Sequence, residues 1–280
     1  MMMPRFLKNT LPVLLLMLSF GLHAASDLEK EQRWKAQIVD ALIVGEAVTL
    51  KAGETEFLGI FAENNTEKAV GGAIILHGIG AHPAWPEVVN PLRAGLPDHG
   101  WATLSIQMPV LANEKQYEDY APLYDEVIPR IQAAVDYYKK LGVKNIVIVA
   151  HSMGAGMAAY YLSQKPDPDV TAFVSIGMSV RKPDPKTDPK LLEQLKKMDN
   201  LVALRKIKLP ILDIYGSRDL PAVLTTDKQR KDAVTKAGNK RYIQLKVQGA
   251  DHFFNNMDED LVKRVRGWLA NNAAGTEIKQ

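Results

Sequence analysis

Two periodicities alternate along this chain. Short apolar runs rich in β-branched residues recur at Ala69–Leu76, Ala102–Ile106, Ile146–Val149, Thr171–Ile176, Leu209–Gly216 and Arg241–Val247, and each reads as a strand. Between them lie stretches with helical spacing. Pro86–Leu96 is one. Glu126–Leu141 is another, with Ile128, Ile131, Val135 and Tyr138 on one apolar stripe and Pro129 in its first turns, where proline costs least. A last helix carries Leu261, Val265 and Trp268 on one face. Near the start, Ala47–Leu50 and Glu56–Phe61 flank Lys51-Ala52-Gly53-Glu54, a hairpin signal. Asp27–Asp40 is charged and helix-compatible, an arm ahead of the hairpin. Strand followed by helix at this spacing predicts a mainly parallel sheet with helices on both faces. There is no internal repeat and no long linker.

One segment breaks the rhythm. Residues 179–208 contain KPDPKTDPK and then a helix with Leu191, Leu195 and Met198 on one face. Asp188-Pro189 is its start signal, aspartate as cap and proline in the first turn. Two readings stay open, a small cap over a substrate mouth and a solvated loop with a surface helix packed on the core. Trp85, Tyr117, Tyr120 and Tyr124 are candidates either to line a pocket or to anchor loops.

The N-terminus reads as a separate unit. Arg5 and Lys8 precede the apolar run Leu11–Leu22, and Ala24-Ala25-Ser26 supplies small residues. That is a secretory signal pattern, so residues 1–25 are expected to be a signal peptide and residues 26–280 a single domain. The apolar run is short for a membrane span; an uncleaved anchor is the competing reading, and no stable span is expected once the signal is removed. Cleavage after Ala24 or after Ala25 stays open, because Leu22 and His23 at the third position back are not small. The chain has no cysteine, which excludes disulfides and attachment of lipid at a cysteine and suits a bacterial envelope protein, periplasmic or secreted. The formal charge of +3 drops to +1 without Arg5 and Lys8, and no lysine-arginine run points to nucleic acid.

The candidate chemistry begins at NIVIVAHSMGAG, residues 145–156. A buried strand, a sharp turn with a serine at its apex and a helix of small residues form a nucleophile elbow around Ser152, with Ala150 in place of the first glycine. A serine triad of this kind runs in the order serine, acid, histidine. His252, in GADHFF, is the only histidine after Ser152. Asp219, in the GSRD loop beyond a strand, is the expected acid. Asp213 competes but lies inside the strand, where packing or a structural hydrogen bond is its expected role, and Asp251 is adjacent to His252, so their side chains diverge. The strand ending in HGIG, residues 77–80, places the N–H of Ile79 beside that of Met153 as an expected oxyanion hole, with His77 as a brace for the loop. His77 and His82 lack metal-ligand spacing, and neither a phosphate-cradling nor a dinucleotide motif occurs, so no metal or cofactor is expected.

With these motifs in order, the sequence resembles the α/β-hydrolase superfamily. The AHSMG elbow is similar to that of some small bacterial lipases, and the stretch from His77 to Leu111 resembles a narrower family of exported proteobacterial proteins of unassigned function. The resemblance implies a serine-hydrolase site at Ser152, Asp219 and His252 and supplies no substrate. The expected activity is cleavage of a small-molecule or lipid carboxylic ester. A thioesterase, amidase or acyltransferase with the same triad is the alternative, and a non-catalytic envelope binding protein on the same fold is the rival from another class. The sequence does not specify an oligomeric state.

Overall fold

A computed structural model of the protein describes residues 26–164, 167–184 and 186–273. The expected signal peptide lies outside the described residues. Among the described residues eight strands form one sheet: β1 (Glu46–Ala52), β2 (Thr55–Ala62), β3 (Gly71–Leu76), β4 (Trp101–Ile106), β5 (Ile146–His151), β6 (Val170–Ile176), β7 (Ile211–Arg218) and β8 (Tyr242–Asp251). Their order across the sheet is β1-β2-β4-β3-β5-β6-β7-β8. The β2 strand runs antiparallel to both β1 and β4, and the pairs from β4 through β8 are parallel. Gly53, at φ +60°, turns the β1–β2 hairpin in the left-handed region that glycine adopts without strain.

The parallel strands are apolar on both faces because both faces are covered. Side chains alternate across a strand. Thus Ile74, Leu76, Ile146 and Ile148 point into one core with Tyr138, Val135 and Met157, while Ala73, Ile75, Val147 and Val149 point into the other with Leu92, Leu261, Val265 and Leu269. Each buried valine, leucine, isoleucine or methionine among them contributes roughly 1.5–3 kcal/mol by leaving water. The first core is covered by α3 (Tyr124–Lys140) and α4 (Met153–Gln164), and the second by α2 (Val89–Gly95) and α9 (Asp258–Asn272).

Several boundaries differ from the sequence pattern. The helix expected over Pro86–Leu96 shrinks to α2 and continues as a 3₁₀ turn at Leu96–His99, closed by Gly100 at φ +84°. Helix α3 starts two residues earlier than expected, after a 3₁₀ turn at Glu118–Leu123, so Pro129 is its sixth residue. Two helices, α7 (Pro221–Leu224) and α8 (Asp227–Lys236), have no strong apolar period and follow β7, with Pro221 in the first turn of α7 as a start signal.

The charged arm is the helix α1 (Leu28–Asp40), and it is pinned to the body. Buried Arg130 of α3 donates to Glu31 over 2.8 Å and to the carbonyl of Gln107 over 3.0 Å, with its guanidinium over the Phe57 ring. Lys30 Nζ donates to the Leu111 carbonyl, and Ser26 donates to Glu126 through both N–H and hydroxyl.

The segment over 179–208 folds as α5 (Pro189–Leu195), a 3₁₀ turn at Lys196–Met198 and α6 (Asn200–Lys206), two short helices where the pattern predicts one. Asp188 caps α5, accepting from the N–H groups of Lys190 and Leu191, as its position predicts. Leu195, Met198, Ala203 and Leu204 are buried in the first core. The second half of the segment is therefore part of the body, and its first residues reach the site described next.

Candidate active site

Five strand ends converge on one side of the sheet. Strand β5 ends at His151, and Ser152 follows at φ +55° before α4 begins. A non-glycine residue held there is strained, and the surroundings fix it. Ser152 N–H donates to the Ile176 carbonyl of β6 over 2.8 Å. A side chain on Gly154 would put its Cβ 2.3 Å from the His77 carbonyl oxygen, and one on Gly78 would come within 3.0 Å of Ser152 Cβ. These glycines let the elbow and the HGIG loop approach closely. Ala150 fits in the first core, so its extra methyl is absorbed by packing.

The three residues singled out in the sequence meet. Ser152 Oγ lies 2.9 Å from His252 Nε2, and His252 Nδ1 lies 2.6 Å from Asp219 Oδ1. An ionised carboxylate only accepts, so Nδ1 carries the proton and Nε2 accepts from the serine hydroxyl. Strand β7 runs to Arg218 and β8 to Asp251, each a few residues beyond the expected end, and each delivers its residue in the next position. Asp219 is held by Gly216 N–H at Oδ2 and Leu220 N–H at Oδ1. Asp213, as its place in the strand predicts, is structural: its Oδ2 accepts from Arg230 Nε, the Tyr242 hydroxyl and Gln244. Burial and that neighbouring carboxylate push the Tyr242 hydroxyl far up, so it remains a donor. Asp251 turns away from His252 and accepts from Phe253 N–H and Asn255 N–H.

On the other side of the serine, Met153 N–H is the first of α4, one of the groups with no carbonyl partner inside the helix. Ile79 sits in the facing loop. His77 braces that loop: its Nδ1 donates to the Gly78 carbonyl at 2.9 Å and its Nε2 accepts from Met108 N–H at 2.9 Å. Burial drives its pKa down to about 3, so the ring stays neutral and can hold both bonds at once.

Two neighbours of the histidine carry no sequence signal of their own. His151 Nε2 donates to the His252 carbonyl over 2.9 Å, and burial, with His252 adjacent, lowers the His151 pKa to about 4. Gly177, at φ +61°, lies under the His252 ring; a Cβ there would stand 3.0 Å from Cε1 and Nδ1. Its position directly after β6 is the only hint the chain offers.

The serine opens into a cavity of about 210 Å³, walled by Ile79, Trp85, Tyr117, Leu220 and Phe253 among others. Of the four aromatics considered from sequence, Trp85 and Tyr117 line it, while Tyr120 and Tyr124 are buried in the first core. Among the described residues no cluster of three His, Asp or Glu is placed to hold a metal, and no helix is long and apolar enough to cross a membrane.

Known proteins bear on this arrangement at two levels. No curated protein sequence matches the chain. Solved structures match its fold. Est1E from Butyrivibrio proteoclasticus aligns with a TM-score of 0.63 at 18% identity, over 81% of this chain and 98% of that one. A dienelactone hydrolase from Anabaena variabilis gives 0.63 at 20%, over 81% and 97%. The Pyrococcus furiosus esterase Pf2001 gives 0.64 at 19%, over 84% and 95%. Identity this low speaks for the fold alone. Residues 23–123 and 112–271 match the model of a family described as protein of unknown function (DUF3530). With most of its length matched in this way, the chain belongs to the DUF3530 family, on an α/β-hydrolase fold.

Proposed function

We propose that this protein is a serine hydrolase that cleaves a carboxylic ester through an acyl-enzyme. The observation that carries the reading is the unbroken line of hydrogen bonds from Asp219 through His252 to Ser152. In this mechanism Ser152 Oγ attacks the ester carbonyl as its proton passes to His252 Nε2. Asp219 stabilises the imidazolium that forms. The negative oxygen of the tetrahedral intermediate is held by the N–H groups of Ile79 and Met153. Collapse breaks the carbon–oxygen bond, and His252 returns the proton to the leaving alcohol. Water, deprotonated by the same histidine, then attacks the acyl group and frees the serine.

Support for an ester over a thioester or amide comes from the company of the fold, which includes an esterase and a dienelactone hydrolase. Support for an apolar portion of the substrate comes from the rim, where Ile79, Leu220 and Phe253 are 41%, 45% and 40% exposed. Exposed apolar side chains gathered at a cavity mouth favour an apolar ligand. The signal-like N-terminus and the absence of cysteine support export to the periplasm or beyond.

The test is reaction of the folded mature protein with a fluorophosphonate probe, together with turnover of p-nitrophenyl esters of graded acyl length. Labelling at Ser152, lost in Ser152→Ala and after heat denaturation, is the expected result. A folded protein that resists the probe and hydrolyses no ester would leave the binding-protein reading in its place. Strong thioester cleavage with no ester turnover would reverse the order of substrates.

A further inference from the structure

Among the described residues, the wall of the Ser152 cavity holds one permanent charge. Among the described residues that line it, Arg181 is the only lysine or arginine, and none is an aspartate or glutamate. Arg181 makes no ion pair within 4 Å with any described residue, and its guanidinium stacks over the Tyr117 ring at 4.4 Å. Burial pushes the Tyr117 hydroxyl up to about 12, so the ring beside the cation is a neutral phenol. The formal charge expected of the chain without its first 24 residues is only +1, so a general basic field does not account for a cation at this place.

The backbone holds Arg181 in position. Gly177 N–H is bonded to the Ile214 carbonyl of β7, Met178 is buried, and Asn200 donates to the Ser179 carbonyl over 2.8 Å. The Asn200 side chain is in turn packed against Gly156 of α4, where a Cβ would come within 2.8 Å of its amide oxygen. Arg181 therefore leaves the body two residues beyond a fixed carbonyl, on a segment wedged against the helix that follows the serine. It also stands at a junction. A second groove of about 360 Å³, walled by Val180, Leu192, Leu195 and Leu201 together with Lys182, Lys196, Glu118 and Asp199, shares Tyr117 and Arg181 with the cavity. A substrate long enough to run from Ser152 into that groove passes the guanidinium.

We propose that Arg181 forms an oxyanion subsite, and that the substrate is an ester bearing a carboxylate or phosphate group on the portion that extends from the cavity toward the groove. A guanidinium offers a planar fork to either anion, and stacking on Tyr117 limits the freedom it loses on binding. This proposal rests on the hydrolase reading for turnover, but its binding half does not.

The turnover experiment compares p-nitrophenyl hexanoate with the mono-p-nitrophenyl ester of adipic acid, which differs by a terminal carboxylate, and extends to the half-esters of glutaric and suberic acid. The expected result is a higher kcat/KM for the half-ester at one of these lengths than for its neutral counterpart, expressed in KM and weakened by salt. Arg181→Gln should collapse that selectivity ratio by about 10- to 100-fold, the range for losing a charge-assisted hydrogen bond, and Arg181→Lys should restore part of it. The absence of any preference for the charged ester at all lengths, or an equal loss on charged and neutral esters in Arg181→Gln, would overturn the proposal. Binding is read separately by calorimetry on Ser152→Ala with hexyl phosphate, hexanoate and hexanol. Tighter binding of one anion than of hexanol, lost when Arg181→Gln is added, supports the subsite and identifies the preferred anion even in a protein that turns over no ester. Equal affinity for all three ligands would overturn it.

Discussion

The carbonyl oxygen of His252 accepts a hydrogen bond from Nε2 of His151, the residue immediately before Ser152. The end of the serine's strand thus holds the backbone of the histidine's loop, and the two rings lie 4.8 Å apart. The bond ties the backbone that carries the His252 ring to the end of the serine's strand. His151→Phe keeps a ring of similar size and removes the donor. The variant is expected to lose about 1–3 kcal/mol of stability through the unsatisfied carbonyl and to fall by roughly 10- to 100-fold in kcat through a misplaced base. Urea unfolding and steady-state kinetics check the two parts.

His77 and His151 are both buried with pKa values lowered, to about 3 and about 4. In the unfolded chain each takes up a proton near its ordinary 6.5, so below that pH the unfolded state binds more protons than the folded one. Their contribution is complete above about pH 6.5 and drains away as pH falls toward the folded-state values. By about pH 5 the loss is on the order of 2 kcal/mol for each histidine. The difference in unfolding free energy between the wild type and His77→Gln/His151→Gln should therefore narrow between pH 7 and pH 5. A difference that widens on acidification would contradict the assignment.

Gly177→Ala tests the floor beneath the His252 ring. The new Cβ would stand 3.0 Å from two ring atoms, on a backbone at φ +61°. The left-handed conformation alone costs roughly 1–2 kcal/mol for alanine. The ring must also lift from the Ser152–Asp219 line. The expected outcome is a fall in kcat of about 10-fold or more and slower fluorophosphonate labelling, with a modest drop in Tm.

The two aspartates of β7 and its loop should separate cleanly. Asp219→Asn keeps the shape but favours the wrong histidine tautomer, with an expected loss of about 10⁴ in kcat, and the backbone N–H that its amide nitrogen no longer accepts costs about 1–3 kcal/mol of stability. Asp213→Asn weakens the partner of buried Arg230, which lies 2.8 Å away, and should cost stability, up to about 3–5 kcal/mol, before it costs chemistry. Loss of turnover in a stably folded Asp213→Asn, with Asp219→Asn active, would exchange their roles.

Local features of the chain already determined much of this protein. The run from Ile146 to Val149, the small residues around Ser152 and the helix-forming stretch after them require only near neighbours, so strand, turn and helix were legible. The order of HGIG, AHSMG, GSRD and ADHFF, each beyond an apolar run, placed Ser152, Asp219, His252 and the Ile79 loop at the same end of a parallel sheet, because parallel strands present their carboxyl ends together. Asp213 was separable from Asp219 because a carboxylate inside a buried strand must find structural partners.

What stayed hidden depends on pairings across the sheet. Strand β2 lies beside β4, and Arg130 bonds both the Gln107 carbonyl just beyond β4 and Glu31 of α1, so the charged arm became part of the body. The bond from His151 to the His252 carbonyl joins residues 101 positions apart, and Gly177 meets the ring from a third strand. Arg181 reads in sequence as one charge in a polar loop; in the fold it lines the cavity, on a segment anchored at Ser179 by Asn200 and stacked on Tyr117. Sequence spacing specifies which residues emerge from the strand ends. Which of them touch is decided by strand order and by close packing, where a missing Cβ or a single buried donor sets distances to a fraction of an ångström.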